Sequence, residues 1–204
     1  QDYIKNKSES FLHFTQSLNN AAKNLMKIAS DQTEKFRANY KRDFIDVSEA
    51  FHKLGESMEH ADNPEASKLK AAVTFTSESY RDIANLTAEQ PRKYWQPLGD
   101  TMHEHSGILD VWTNILKVHS GALIKDSEVD QMITEGKIRA DQASEIGKRS
   151  DVISYSLLAE INYFDSFYFK EIRDAHQAFL QEQISYHEAI TEKLKEALHM
   201  FDDC

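Results

Sequence analysis

Residues 11–58, FLHFTQSLNNAAKNLMKIASDQTEKFRANYKRDFIDVSEAFHKLGESM, place apolar side chains at Phe11, Phe14, Leu18, Ala21, Leu25 and Ile28, then at Phe36, Tyr40, Phe44, Val47, Phe51, Leu54 and Met58. The steps are mostly three and four. That alternation draws one narrow stripe along a helix, as in a coiled-coil seam, and no glycine or proline interrupts it before Gly55. Between Ile28 and Phe44 the steps become successive fours, with Gln32 in one slot, which predicts a local change of supercoil and a bend without a break. A first helix is expected over about residues 3–60.

Ala61-Asp62-Asn63-Pro64 then gathers turn formers, and Pro64 suits the first position of a second helix. Its stripe runs through Leu69, Val73, Thr76, Tyr80, Ile83, Leu86, Tyr94, Leu98, Met102, His105, Leu109, Trp112, Leu116 and Leu123, so the helix should cover about residues 65–133. Pro91 and Pro97 fall inside it. Each removes a backbone hydrogen bond and clashes with the carbonyl four residues back, so a kink or a split is expected near 91–97, with a true loop as the alternative. Gly136 marks a turn at Glu135–Ala140, and the stripe from Ile146 and Ile153 to Ala197 and Phe201 predicts a third helix over about 140–201.

The expected fold is thus all-α: three long, kinked, antiparallel helices in a coiled-coil bundle, one domain over residues 1–204. Only 6 glycines and 3 prolines occur, too few turn formers for a many-stranded sandwich or barrel. A sixty-residue helix spans about 90 Å, roughly twice the breadth of a compact globule of this length, so an elongated molecule is expected. Tyr163, Phe164, Phe167, Tyr168 and Phe169 point to more than one side of the third helix, and a second subunit is the expected cover. Phe164, Phe167, Tyr168, Phe51, Tyr80, Phe179 and Tyr186 are the candidate dimer-interface residues. A monomeric four-helix bundle, folded back at Pro91–Pro97, would bury the same side chains.

With 24 basic and 34 acidic residues the net charge is −10, which argues against a nonspecific nucleic-acid binder, whose footprint is a basic stripe. The surface is polarised, since residues 151–204 hold 11 acidic groups against 4 basic. Basic residues gather at Lys35, Arg37, Lys41 and Arg42, at Arg92 and Lys93, and at Lys137, Arg139, Lys148 and Arg149. A Lys or Arg near an anionic leaflet is worth about 1 kcal/mol, so such clusters are candidate membrane contacts, with ordinary solvated helix faces as the alternative. No run of 18 apolar residues occurs, and the opening QDYIKNKSES lacks the apolar core of a secretory signal. The single cysteine, Cys204, allows no intrachain disulfide and fits a reducing compartment.

Glu49/His52 and Glu196/His199 have the Glu-x-x-His spacing of di-iron carboxylate bundles. Both pairs lie off the apolar stripe and should face solvent. His103-Glu104-His105 lacks the four-residue separation of a zinc-protease helix, and His105, on the stripe, reads as a satisfied core histidine. Neither a Gly-rich phosphate loop, nor a nucleophile elbow, nor a Cys/His pair is present. No enzyme, metal or cofactor is expected.

Three groups of strings carry a family likeness: Tyr80, Ile83, Ala84, Leu86 and Ala88-Glu89-Gln90-Pro91 with Lys93; Ser154-Tyr155, Leu158-Ala159-Glu160, Asn162 and Phe164; and Leu180, Glu182-Gln183, Tyr186, Ile190, Glu192-Lys193-Leu194 and Ala197-Leu198. Over essentially its whole length the chain resembles the BAR domain of sorting nexins, in particular of the sorting nexin-9 subfamily. Members of that subfamily carry a Src-homology-3 domain, a linker, a phosphoinositide-binding PX domain and this BAR domain. The resemblance implies a crescent-shaped homodimer that senses or generates membrane curvature in endocytosis and membrane trafficking. It further implies a cytoplasmic, peripheral placement at plasma and early endosomal membranes, and coupling to dynamin and actin-assembly factors. The family's basic positions near the distal tip correspond to Lys137, Lys148 and Arg149. At Gln131, where family members can carry a lysine, this sequence is neutral. The expectation is a piece of a longer chain in which an adjacent PX domain selects the lipid; a protein-binding coiled-coil scaffold without membrane contact is the alternative.

Overall fold

The computed structural model describes residues 2–59 and 63–202, so Ala61, Asp62 and Cys204 lie outside the described residues. All elements among them are helical. In chain order they are α1 (Asp2–Lys35), a π-helical turn at Phe36–Tyr40, α2 (Lys41–Ser57), α3 (Pro64–Gln90), a second π turn at Pro91–Trp95, α4 (Gln96–Ser127), α5 (Val129–Thr134) and α6 (Ala140–His199).

The helix ends follow from local chemistry. At the start of α3 the Asn63 carboxamide oxygen accepts the Glu65 backbone N–H at 3.0 Å, and Pro64 occupies a position whose N–H would have no partner anyway. At the end of α5, Gly136 adopts φ 69°. Its N–H donates to the Ile133 carbonyl at 3.0 Å and the Lys137 N–H to the Met132 carbonyl at 2.9 Å, a Schellman motif in which only glycine avoids a Cβ penalty. The Gln142 side chain then accepts the Arg139 N–H at 2.9 Å, one half of a capping box that opens α6.

Two interruptions of the expected long helices are π turns, and a third, at Glu128, separates α4 from α5 where the expected second helix ran on to 133. The first falls within the run of successive fours between Ile28 and Phe44. A π turn takes more residues per revolution than an α turn, so side chains four apart fall back onto one face. The second begins at Pro91, whose missing N–H removes an α-type bond from the ladder. Gln90, Pro91 and Gln96 all keep right-handed helical dihedrals, so no loop separates α3 from α4.

The chain divides into two compact units. The first comprises Gln1–Leu25 and Thr101–Arg173, the second Met26–Asp100 and Asp174–Cys204. The core of the first is built from Phe11 on α1, Leu109, Trp112 and Leu116 on α4, and Leu157, Ile161, Phe164 and Tyr168 on α6. Phe11 meets Trp112 edge-on at 4.8 Å and Phe164 at 5.5 Å, and Trp112 meets Phe164 at 5.6 Å. Such T-shaped pairs add about 0.5–1.5 kcal/mol each beyond area burial. At the rim Asp110 accepts Lys23 at 3.2 Å and Asn19 at 2.6 Å, and these bonds hold its carboxyl below the ordinary range.

The second unit is packed differently. Along α2 and α3, Ser48 and Ser77 each donate to the other's backbone carbonyl at 2.8 Å, and both are buried. Gly55 is equally close-packed: a Cβ there would lie 3.0 Å from the Thr74 hydroxyl. Ala72, Val73, Ile83 and Ala84 complete the buried face of α3, and the buried Thr87 hydroxyl shares a 2.8 Å hydrogen bond with Tyr186 of α6.

Candidate membrane-facing and partner-facing surfaces

Within the second unit the two π turns touch. Phe36 of the first meets Tyr94 of the second edge-on at 6.1 Å, and Tyr186 of α6 lies 6.1 Å from Phe36. Phe179 closes the cluster against Tyr94 at 5.5 Å and Trp95 at 4.9 Å. Burial pushes the Tyr94 hydroxyl well above the ordinary tyrosine range, with the neighbouring Tyr186 adding to it, so both phenols stay neutral donors. This interior anchors two basic segments. Lys35, Arg37 and Arg42 are exposed and Lys41 half-buried around the first turn, and Arg92 and Lys93 are exposed on the second. Lys93 reaches Glu89 at 3.9 Å, whereas no ion pair is recorded for Lys35, Arg37, Lys41 or Arg42 among the described residues.

The other basic group lies in the first unit, around the α5–α6 turn, and there the cations meet their own neighbours. Lys137 pairs with Glu135, whose carboxyl it holds below the ordinary range. Arg139 grips Asp141 through two bonds, Nε to Oδ1 at 3.1 Å and Nη2 to Oδ2 at 2.8 Å. Arg149 contacts Glu145 at 3.2 Å. Of the four, only the exposed Lys148 has no ion pair recorded among the described residues. These pairs are solvent-exposed and individually weak, but they cancel most of the positive charge that counting lysines and arginines suggests.

The candidate interface residues separate into three kinds. Phe164 and Tyr168 belong to the core of the first unit and Tyr186 is buried in the second, so these three are interior side chains and not a free partner surface. Phe51 and Tyr80 are half-buried and stacked at 5.7 Å, and Phe179 is half-buried in the π-turn cluster. Phe167 alone is exposed, at 42%, stacked on Tyr163 at 6.0 Å.

Two exposed apolar rows stand out, one of which takes Leu194 and Phe201 from the expected third-helix stripe and leaves them uncovered. On α6 of the second unit, Leu180, Ile184, Leu194 and Leu198 are exposed, and with His187 and Thr191 they follow steps of four and three along one face; Phe201, in the turn after the helix, is exposed as well. On α4 of the first unit, Ile108, Val111, Ile115 and Val118 are exposed one position before the buried Leu109, Trp112, Leu116 and His119. Each row is a second register beside the buried one, a signal visible as a broad apolar arc where a single stripe was sought.

Each histidine of the two Glu-x-x-His pairs meets a carboxylate on its own turn. His52 faces Glu56 at 3.4 Å and His199 faces Asp202 at 2.9 Å, both exposed. No cluster of three or more His, Cys, Asp or Glu side chains able to hold a metal occurs among the described residues. His105 is a core residue only partly satisfied: Nε2 lies 3.5 Å from Glu171, while Nδ1 is buried without a partner. No described helix is long and apolar enough to cross a membrane.

Comparison with known proteins gives this architecture a family. A family model described as the WASP-binding domain of sorting nexin proteins, of BAR type, matches residues 1–202. Mouse sorting nexin-18 is 32% identical over 199 residues, covering 98% of this chain and 32% of the relative. Sorting nexin-33 of Xenopus tropicalis is 28% identical over 201 residues, and the human protein of that name 26%, covering 36% and 35% of their lengths. The chain thus spans about a third of the relatives it matches. On the helical architecture, the match over 1–202 and these relatives, the chain belongs to the BAR-type, WASP-binding domain family of sorting nexins, within the sorting nexin-9 subfamily.

Proposed function

We propose that this domain is a noncatalytic module of membrane trafficking that homodimerises and lies on anionic, phosphoinositide-containing membranes, sensing or generating curvature in endocytosis. The observation that carries the membrane reading is the basic segment at the first π turn. Lys35, Arg37, Lys41 and Arg42 stand within eight residues on a braced backbone, with no ion pair recorded for them among the described residues, so each is open to a phosphate. Lys148 is the corresponding open cation near the α5–α6 turn, and Lys137, Arg139 and Arg149 can join once phosphate displaces their weak carboxylate partners.

Homodimerisation is supported by the exposed α6 row of Leu180, Ile184, Leu194 and Leu198, continued by Phe201 just past the helix, which has the a/d spacing of a helix seam and is left exposed among the described residues. Phospholipid selection belongs on this reading to an adjacent PX domain, two copies of which add avidity in the dimer. Dynamin and actin-assembly factors would be recruited by flanking domains, the latter in line with the WASP binding named in the family description. The protein would act from the cytoplasm, peripherally at plasma and early endosomal membranes.

Vesicle co-sedimentation tests the reading. Reversing Lys35, Arg37, Lys41 and Arg42 to Glu should abolish binding to phosphoinositide-containing vesicles while light scattering still reports a dimer. Unchanged sedimentation would reject these residues as lipid contacts and favour a protein-binding scaffold, for which the self-neutralised α5–α6 turn speaks.

A further inference from the structure

In the first unit the seam between α4 and α6 contains the two buried histidines of the described chain, His105 and His119, each 1% exposed. The His119 ring nitrogen Nε2 has one recorded partner, the buried Ser154 hydroxyl at 3.1 Å. One turn before Ser154, the buried Ser150 hydroxyl has no partner at all. His105 lies edge-on against Tyr168 at 4.6 Å, with Nε2 toward Glu171 and Nδ1 orphaned. Buried polar atoms are rarely left unpaired, and two such atoms in one helix seam leave it poorly prepared to hold a charge.

We propose that His119 and His105 make the α4–α6 seam an acid-sensitive latch, closed while both imidazoles are neutral and loosened when they take up protons. The two rings differ in what could balance a positive charge: among the described residues His119 has no ion pair, whereas His105 has the half-exposed Glu171 carboxylate at 3.5 Å. His119 faces Ser154 on α6, with Glu160 farther along the same groove, and on the α1 side Lys5 and Glu9 line the neighbouring cleft with Leu116 and Ser120. His105 faces Tyr168 and Glu171 on α6 and follows Glu104 on α4; the cation along that stretch of α1, Lys23, is bonded to Asp110. Burial pulls both imidazoles below the ordinary histidine value, and for His105 it outweighs the opposing pull of Glu171 and Glu104.

The sign follows from linkage. Above the ordinary value of about 6.5 both the folded seam and the unfolded chain leave these rings neutral, and the seam keeps its full stability. As pH falls below that value the unfolded chain binds protons that the closed seam refuses, so the seam weakens. The second unit is the internal control. None of its described histidines is buried, and its buried ionisable groups are Tyr94 and Tyr186, which do not titrate in this range.

Amide hydrogen exchange on the whole chain at pH 7.5 and 5.5, corrected for intrinsic rates, tests the latch. Amides of 105–119 and 150–168 should lose about tenfold more protection at the lower pH than those of 72–87 in the second unit. The double variant His105→Gln, His119→Gln should remove most of that difference whatever its absolute stability. Equal losses in both units, or a pH response that survives the double variant, would overturn the proposal. Imidazole titration of the unaltered protein by NMR decides independently of any variant: midpoints for His105 and His119 at or above the ordinary value would sink it.

Discussion

The core of the first unit and the α2–α3 contact of the second follow the same three-and-four apolar spacing and yet are packed by opposite means. In the first, large rings fill the space between helices: Phe11, Trp112 and Phe164 form a triangle of edge-on contacts. In the second, along α2 and α3, small and hydroxyl side chains bring two backbones together: Ser48 and Ser77 replace bulk with carbonyl hydrogen bonds, and Gly55 leaves room for the close approach. The same contrast holds for charge. The basic residues of the α5–α6 turn are mostly cancelled by adjacent carboxylates, whereas those of the first π turn are open. An apolar or basic pattern therefore specifies that a face exists, and the residues between its members decide how tightly and to what it binds.

Three sets of substitutions sharpen or break this comparison. Trp112→Ala should cost about 3–5 kcal/mol of unfolding free energy, because the cavity is bounded by rings that cannot collapse together. A loss under about 1 kcal/mol by urea titration would mean that the rings do not carry the first unit. Gly55→Val should cost about 1–3 kcal/mol by overpacking against Thr74, and Gly107→Val, whose Cβ meets nothing within 4 Å, serves as the control for helix propensity. Equal losses at the two glycines would remove the case for close backbone approach in the second unit. The smallest effect concerns the Ser48–Ser77 pair, where each Ala variant should cost about 1 kcal/mol and the double variant less than the sum. Strict additivity in a double-mutant cycle would show that the two hydroxyls do not act as a pair.

Much of the fold was legible in the sequence because helix ends depend on local chemistry. Asn63-Pro64 and Gly136 each satisfy backbone groups within a few residues, so they can be read without knowing what the helix meets. The π turn at Pro91 was half legible. Proline forbids one hydrogen bond, but whether the ladder then widens, kinks or ends depends on the packing of Tyr94 against Phe36 and Phe179, residues far apart in the chain. The surfaces were less legible for the same reason. Periodicity groups Phe164 and Tyr168 on one face of α6, yet only packing against Phe11, Trp112 and His105 makes that face interior. The partners of Lys137, Arg139 and Arg149 lie two to four residues away and could have been counted; the ring contact that braces the basic π turn could not.

The π turn at Phe36–Tyr40 also bears on how this chain could change length. In an α-helix each residue advances the face by about 100°, so losing one residue from the middle of α1 would turn every later apolar position away from its partners. A π turn already holds one residue more than the α ladder needs. Deleting a residue there would restore a plain α turn and leave the stripes before and after it in step, making these five positions the place in α1–α2 where a single-codon deletion does least harm.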